Sequence, residues 1–481
     1  MPSRRSLSSR SASFFVVVAA LFGAGVLGGH IGGCASPPAT PTAPTAPAAP
    51  TAPIAPQNVA APTAGLATGA QPNLLFILVD TLRADALGVY GQEKPTSPRI
   101  DAFAAGAVVY SHAWTQYTWT SPSYVSFMTS RYARTHGWDY PLTKRDTWRT
   151  LDDQAPMLAQ VLSGAGYATN AQFSQPNLRK DFAFDKGFDT FTRGAEVGAV
   201  RGAVAAIGKW KADPKPNFLY VHLMAPHVPL KPTEASRTAV GAAPIDTQIS
   251  YAHWATASAA DKATRLEEFR GIYLASVRDA DTSVGAILDA LDASGLAGET
   301  AVVLTSDHGE LLGEHDQIGH AGTTAEALTH VPLVLRAPGL APRREAAPAS
   351  LIDIAPTLAA LAGAPAPAAW QGRSLLDGTT SPLIAERDSQ LSISDGTWKL
   401  TEDRATGRFL AAYDLSKDPS EATALTAEDP AGKDAIAGLA AAADAFRARL
   451  PDGENTGVAP TMGASEKAKQ VEELKALGYV E

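Results

Sequence analysis

Asn73-Leu-Leu-Phe-Ile-Leu-Val79 runs directly into Asp80, and Thr300-Ala-Val-Val-Leu-Thr-Ser306 runs directly into Asp307-His308-Gly309. Each is a short apolar run that ends in groups able to hold a metal. Gly166–Ala171, Asn217–Met224 and Pro332–Arg336 are further candidate strands. Between two of these runs, Leu266, Phe269, Tyr273, Val277, Val284, Ile287, Leu288 and Leu291 recur at helical spacing and predict one long amphipathic helix. Short β-rich runs alternating with helical patterns predict an α/β fold, a mostly parallel sheet sandwiched by helices. Ligands of such sheets bind just beyond the carboxyl ends of the strands, so Asp80 and Asp307-His308 are expected at one edge, as a divalent-cation site requires. A single Asp after a strand is more often a cap or turn former; the pairing of two such ends carries the metal reading. The Ala-rich stretches Arg201–Lys211 and Ser250–Lys262 are expected to cover the sheet or decorate the pocket.

The chain has 481 residues, enough for a large core, and a formal charge of -9, which argues against a nucleic-acid surface. Its start reads as an export signal: Arg4, Arg5 and Arg10 precede the apolar run Phe14–Leu27. Ile31-Gly32-Gly33-Cys34 then resembles the bacterial lipobox, in which the cysteine is acylated and becomes the mature N-terminus. Cys34 is the sole cysteine, so no intrachain disulfide forms, and a diacylated cysteine suffices for stable anchoring. An uncleaved membrane anchor is the alternative; both put the remainder outside the cytoplasm. Residues 35–71, rich in Ala, Pro and Thr, cannot bury a core and are expected to be an extended tether. The expected location is the cell envelope, lipid-anchored and facing the periplasm or exterior.

Longer motifs extend the two strand ends. Asn73-Leu-Leu-Phe-Ile-Leu-Val-Asp-Thr-Leu-Arg-Ala-Asp-Ala-Leu-Gly-Val-Tyr-Gly91 resembles the opening motif of the sulfatase family, within the alkaline-phosphatase superfamily, and Ser306-Asp-His-Gly-Glu-Leu-Leu-Gly-Glu-His315 resembles its second metal motif. The stretches starting at Phe218, His330, Leu351, Gly396 and Tyr413 match in the same order. This resemblance implies a catalytic α/β domain over 72–380 and a smaller C-terminal α+β domain over 381–481, following the signal and lipobox read at 1–34 and the tether at 35–71.

In the family a motif of Cys or Ser, any residue, Pro, Ser, Arg sets the nucleophile at a helix N-terminus; here it reads Thr120-Ser-Pro-Ser-Tyr124. Unsatisfied N–H groups and the helix dipole there favour an attacking alkoxide and the oxygens of a sulfuryl or phosphoryl group. The plainer reading of Thr120 is an N-cap. Threonine is not convertible to formylglycine, so the resemblance turns toward superfamily members that attack directly through a metal-bound threonine oxygen. Carried over, Asp80, Thr120, Asp307 and His308 would surround one divalent ion, manganese or zinc suiting them better than calcium. His227, in a His-x-Pro match, would bind ester oxygens or protonate the leaving group, with His320 as second candidate. His222 reads as packing or outer support, His315 as ambiguous, Asp85, Arg83 and Tyr90 as holding the loop after Asp80 with Arg83 also able to touch substrate, and Asp281 and Asp353 as helix-end residues.

Three departures stand out: Thr81 replaces a metal aspartate, Tyr124 replaces the motif arginine, and no Gly-Lys-x-x-His match follows Tyr167. A less cationic pocket suits a sulfate ester or phosphodiester better than a phosphomonoester. The leading expectation is a hydrolase of sulfate or phosphate esters of a small molecule, glycan or lipid head group. A phosphodiesterase or a phosphoglycerol- or phosphoethanolamine-type transferase acting on lipid or glycan shares its first step, and a surface lipoprotein that binds glycans without turnover is the non-enzymatic alternative.

Overall fold

The computed structural model describes residues 71–139, 149–244, 254, 257–320, 322–378 and 383–459, with scattered positions up to 472. The signal segment, Cys34, the tether through residue 70 and most of 250–256 lie outside the described residues. The described residues belong to one compact unit, Asn58–Glu481.

An eight-stranded sheet forms the centre, ordered edge to edge Arg343–Glu345, Val108–Tyr110, Leu333–Arg336, Thr300–Thr305, Asn73–Val79, Asn217–Leu223, Ala168–Phe173 and Thr190–Arg193. Asn73–Val79 pairs parallel with both Asn217–Leu223 and Thr300–Thr305, so the three share one carboxyl edge. Leu333–Arg336 runs antiparallel to its neighbours, which makes the sheet mostly rather than wholly parallel. Alternation along the first strand divides the core. Leu74, Phe76 and Leu78 face the buried helix Thr120–Thr129, whereas Leu75, Ile77 and Val79 pack with the long helix Ala259–Ser294.

That long helix begins at the Ser258 cap, whose side chain accepts from Asp261 N, and stops at Gly295, where φ of 75° favours glycine. Phe269, Tyr273, Val277, Val284, Ile287, Leu288 and Leu291 are buried, as their spacing predicts. The end of the Ser250–Lys262 stretch is the first turn of this helix, and Trp254 within the stretch packs into the cluster on the same sheet face. The Arg201–Lys211 region does cover the sheet: Ala203, Ile207 and Trp210 pack against the same face. The strand expected at Gly166–Ala171 lies two residues later, at Ala168–Phe173, because Gly166 has φ of 94° and belongs to the turn before it.

A second sheet of four antiparallel strands, Leu383–Arg387, Gln390–Ser394, Trp398–Asp403 and Phe409–Asp414, is covered by Lys433–Arg449. Ile436, Leu439, Ala443 and Phe446 on one helix stripe meet Leu391, Ile393, Leu400 and Ala412. Buried charge ties this sheet to the large one. Glu386 pairs with Arg134 at 2.7 Å just beyond the Thr120–Thr129 helix, and Lys399 reaches Glu421 at 2.6 Å and the Thr324 carbonyl at 2.6 Å, on the segment that carries His320. Glu386→Ala would leave Arg134 buried without its carboxylate, so urea unfolding should show a loss of about 3 to 5 kcal/mol; a loss below about 1 kcal/mol would mean the pair is not a structural tie.

Candidate active site

Three strand ends and one helix start meet. Asp80 follows the Asn73–Val79 strand, its amide bonded to the Leu223 carbonyl at 2.8 Å, and Asp307-His308 follows Thr300–Thr305. Ser306 Oγ accepts from Leu82 N at 2.9 Å and donates to the His308 carbonyl at 2.7 Å, which locks the two loops together. Asp80, Asp307 and His308 are fully buried, and each offers a ligand atom within 4.8 Å of the others.

Thr120 is the first residue of its helix, after an extended Trp119, so it is not the cap. Pro122 sits in the first turn, where its missing N–H costs nothing. Every residue of the helix is buried, and Ser123 Oγ donates to the Asp307 carbonyl at 2.8 Å, which fixes the helix start against the Asp307 loop. Thr120 Oγ1 lies 3.5 Å from His308 Nε2.

These groups suit a cation. His308 Nδ1 lies 2.9 Å from the Gly309 carbonyl and therefore carries its proton there, leaving the Nε2 lone pair facing Asp307 Oδ2 at 3.5 Å and Asp80 Oδ1 at 3.9 Å. Asp80 Oδ1, Asp307 Oδ2 and Thr81 Oγ1 are buried without any hydrogen-bond partner. Burial pushes the Asp80 carboxyl up, but His227, His222 and His308 outweigh it and hold the group below the usual carboxylate range. Burial and Asp80 together push Asp307 well above that range, and burial and His320 push His308 well down. Two buried carboxylates and an imidazole lone pair repel one another unless a positive ion lies among them. Thr81 adds strain: a β-branched residue at φ of 54°, with its amide donating to Asp307 Oδ1 at 3.3 Å.

Both candidate acid–base histidines border this cluster. The His320 ring centre lies 4.6 Å from His308 and 5.1 Å from His227. His320 Nδ1 donates to Glu310 at 2.8 Å, and burial pushes its pKa down to about 4. Burial also lowers His227, whose Nδ1 faces the Val228 carbonyl. Both rings are thus neutral near pH 7, with Nδ1 holding the proton.

Outer residues resolve as follows. His222 Nε2 bonds Asp80 Oδ2 at 3.0 Å while its Nδ1 bonds the Tyr220 hydroxyl at 2.8 Å, so it orients the carboxylate. The strand ends at Leu223, and strand alternation therefore says nothing about His227. Arg83 is held by Glu314 at 2.8 Å, Asp85 at 2.6 Å and the Glu310 carbonyl at 3.0 Å; these bonds spend its donors on the fold, a correction to the idea that it touches substrate. Tyr90 takes Leu333 N at 3.0 Å, Asp281 accepts from Ile100 N at 2.8 Å, and Asp353 from Ser350 N at 3.1 Å, all structural. His315 is tied to Glu421 at 3.5 Å rather than free in a loop. Tyr124 enters an aromatic cluster with Phe127, Phe184 and Tyr220, its hydroxyl donating to Phe184 O at 2.8 Å, so this position supplies packing and no charge.

One group escaped the sequence reading. Gln175 Nε2 donates to Asp80 Oδ2 at 2.7 Å and to Thr120 Oγ1 at 3.2 Å, and its Oε1 accepts from Asn177 N at 2.9 Å, which settles which amide atom faces the site. Asn177 is itself buried, with neither side-chain amide atom bonded. The signal was the carboxyl-edge rule: Gln175 follows the Ala168–Phe173 strand by two residues, but the strand expected to end at Ala171 concealed it.

Fold and site together define an α/β enzyme with a buried, cation-seeking cluster at the carboxyl edge of its sheet. The model for the family described as Sulfatase matches residues 72–364, more than half of the chain. The chain belongs to the sulfatase family and is a hydrolase of that family. It is 27% identical over 388 residues to iduronate 2-sulfatase of Mus musculus, covering 61% of this chain and 69% of that one. It is 32% identical to arylsulfatase K of Xenopus laevis over 211 residues, 39% of each chain, so that relative is spanned only in part. The solved phosphonate monoester hydrolase of Silicibacter pomeroyi superposes with a TM-score of 0.61 at 21% identity, covering 79% of this chain and 96% of that one, which shows the shared fold.

Because His222 holds Asp80, His222→Ala should weaken Mn²⁺ binding by about 10- to 100-fold in titration calorimetry. An unchanged affinity would mean that His222 does not support an ion held at Asp80.

Proposed function

We propose that the protein hydrolyses a sulfate or phosphate ester with Thr120 as nucleophile, while Asp80, Asp307, His308 and the Thr120 oxygen hold one divalent ion. The observation that carries this reading is the Thr120 hydroxyl at a helix start, 3.2 Å from the Gln175 amide and 3.5 Å from His308 Nε2, beside two carboxylate oxygens that have no partner. A bound divalent ion would neutralise the carboxylates and draw charge from the ester oxygens.

The chain's own groups account for the remaining steps. Thr120 Oγ attacks sulfur or phosphorus as the bond to the alcohol oxygen breaks. The hydroxyl proton passes to the neutral imidazole pair His227 and His320, and from it to the departing alcohol. Glu310, by holding Nδ1–H of His320, keeps Nε2 available as acceptor. Water then attacks the covalent ester, restoring the threonine and giving inorganic sulfate from a sulfate ester or a phosphate monoester from a phosphodiester. A threonine carries no route to formylglycine, so this cycle is direct displacement.

Charge favours a singly charged ester. Gln175 is neutral, Tyr124 lies in the core and Arg83 is consumed by carboxylates. A sulfate ester or phosphodiester carries one negative charge, and a phosphomonoester carries two, which would meet less compensation here. Attachment to a membrane through Cys34 belongs to the same proposal, with substrate met in the cell envelope.

Chelation should abolish turnover of aryl sulfate or phosphodiester substrates, and manganese or zinc should restore it better than calcium. Thr120→Ala should lower kcat by about 10³-fold with folding intact by circular dichroism; unchanged turnover would remove the nucleophile. Gln175→Lys should raise kcat/KM for a phosphomonoester relative to a phosphodiester by about tenfold, and a ratio that does not move would sink the charge argument.

A further inference from the structure

A groove of about 710 Å³ opens beside His227, within the size range of small-molecule sites. Pro226, Val228 and Pro229 flank the histidine in its wall, Met224 lies beside them, and Val197 stands at 60% exposure, one of only two large apolar side chains so exposed among the described residues. Val197 and the partly buried apolar side chains beside it make one continuous apolar wall of the groove.

Four of the five hydroxyl groups lining the groove, those of Ser174, Thr233, Ser276 and Thr282, donate to groups of the protein itself. Ser174 Oγ donates to Glu196 at 3.2 Å, and the same carboxylate accepts from Met224 N at 2.7 Å. Thr233 Oγ1 donates to Asp279 at 2.7 Å, Ser276 Oγ to the Ile272 carbonyl at 3.0 Å and Thr282 Oγ1 to the Arg278 carbonyl at 3.1 Å. These hydroxyl protons go to the protein itself, so they are not offered to a ligand. A sugar entering here would exchange hydrogen bonds to water for few in return, at a cost for each hydroxyl left unpaired. An apolar ring loses nothing of the kind and gains contact with the prolines, Met224 and Val197. Arg193 and Lys231 in the same wall favour approach of an anionic ester.

We infer that this groove is the leaving-group subsite and that it takes an apolar, ring-bearing alcohol in preference to a sugar. The inference rests on the proposed reaction, because it is His227 at the inner wall that joins the groove to the histidine pair handling the leaving-group proton. Val197 is thereby a specificity-determining residue.

The test uses the detergent-solubilised full chain with three primary alkyl esters of similar intrinsic reactivity: ethyl sulfate, cyclohexylmethyl sulfate and glucose 6-sulfate. Variants are Val197→Asp and, as a control at the other exposed apolar residue outside the groove, Val458→Asp. Binding of 2-naphthol, read by its own fluorescence, needs no turnover. The expected result is that cyclohexylmethyl sulfate has the highest kcat/KM, that Val197→Asp raises its KM and weakens 2-naphthol binding by about tenfold, and that ethyl sulfate and the Val458→Asp protein are unaffected. Faster turnover of glucose 6-sulfate, or 2-naphthol binding indifferent to Val197→Asp, would overturn the subsite. Naphthol binding sensitive to Val197→Asp with no ester turned over would uphold the groove while refuting the reaction.

Discussion

The structure is organised around an unfavourable arrangement, two buried carboxylates that face each other and an imidazole lone pair. Asp80 and Asp307 arrive there because their strands both lie parallel in the middle of one sheet, and His308 follows because the Gly309 carbonyl takes its Nδ1 proton. Among the described residues the carboxylates pair only with histidines, and no lysine or arginine forms an ion pair with either. The neighbours instead hold the arrangement rigid: His222 and Gln175 bond Asp80 Oδ2, Thr81 accepts a strained backbone so that its amide can bond Asp307, and Ser306 joins the two loops. Rigidity of this kind keeps ligand atoms from relaxing apart before an ion binds.

Cations exist near the site, but the fold uses them elsewhere. Arg83 is spent on Asp85 and Glu314, Arg134 on Glu386, and Lys399 on Glu421, with Trp114 under its ammonium at 4.9 Å. The Arg134–Glu386 pair and the bond from Lys399 to the Thr324 carbonyl join the small antiparallel sheet to the end of the Thr120 helix and to the segment that carries His320. Such pairs add little net stability over apolar packing, but removing one partner is costly, and they fix one arrangement of the loops. At the carboxylate cluster itself the side-chain donors are therefore the Gln175 amide and imidazoles, while Arg387 lies near enough to His320 to add to burial in lowering its pKa. The groove beside His227 extends the same economy, with four of its five hydroxyls donating to the protein itself and its apolar walls left open.

Much of this was legible in the residue order. Apolar runs ending in Asp80 and Asp307 revealed the sheet and its working edge, because a strand's period and length are local properties. Helical spacing from Leu266 to Leu291 revealed the covering helix, although its N-terminal extension to Ala259 was hidden by a polar, Ala-rich first turn that faces water. Gln175 was missed for a local reason too: Gly166 was counted into a strand when its positive φ makes it part of a turn, and the strand's end slid two residues early.

Sequence alone thus determined the fold class, the candidate ligands and the threonine in place of a convertible residue, since each depends on residue type and spacing along the chain. Tertiary structure decided which polar groups have partners. Arg83 and Tyr124 carry no sign in the chain that their donors are taken, and His222 and Gln175 none that both bond one carboxylate oxygen. Most of these bonds join segments far apart in the chain, from 60 residues for Tyr124 and Phe184 to 231 for Arg83 and Glu314, and only packing sets those distances.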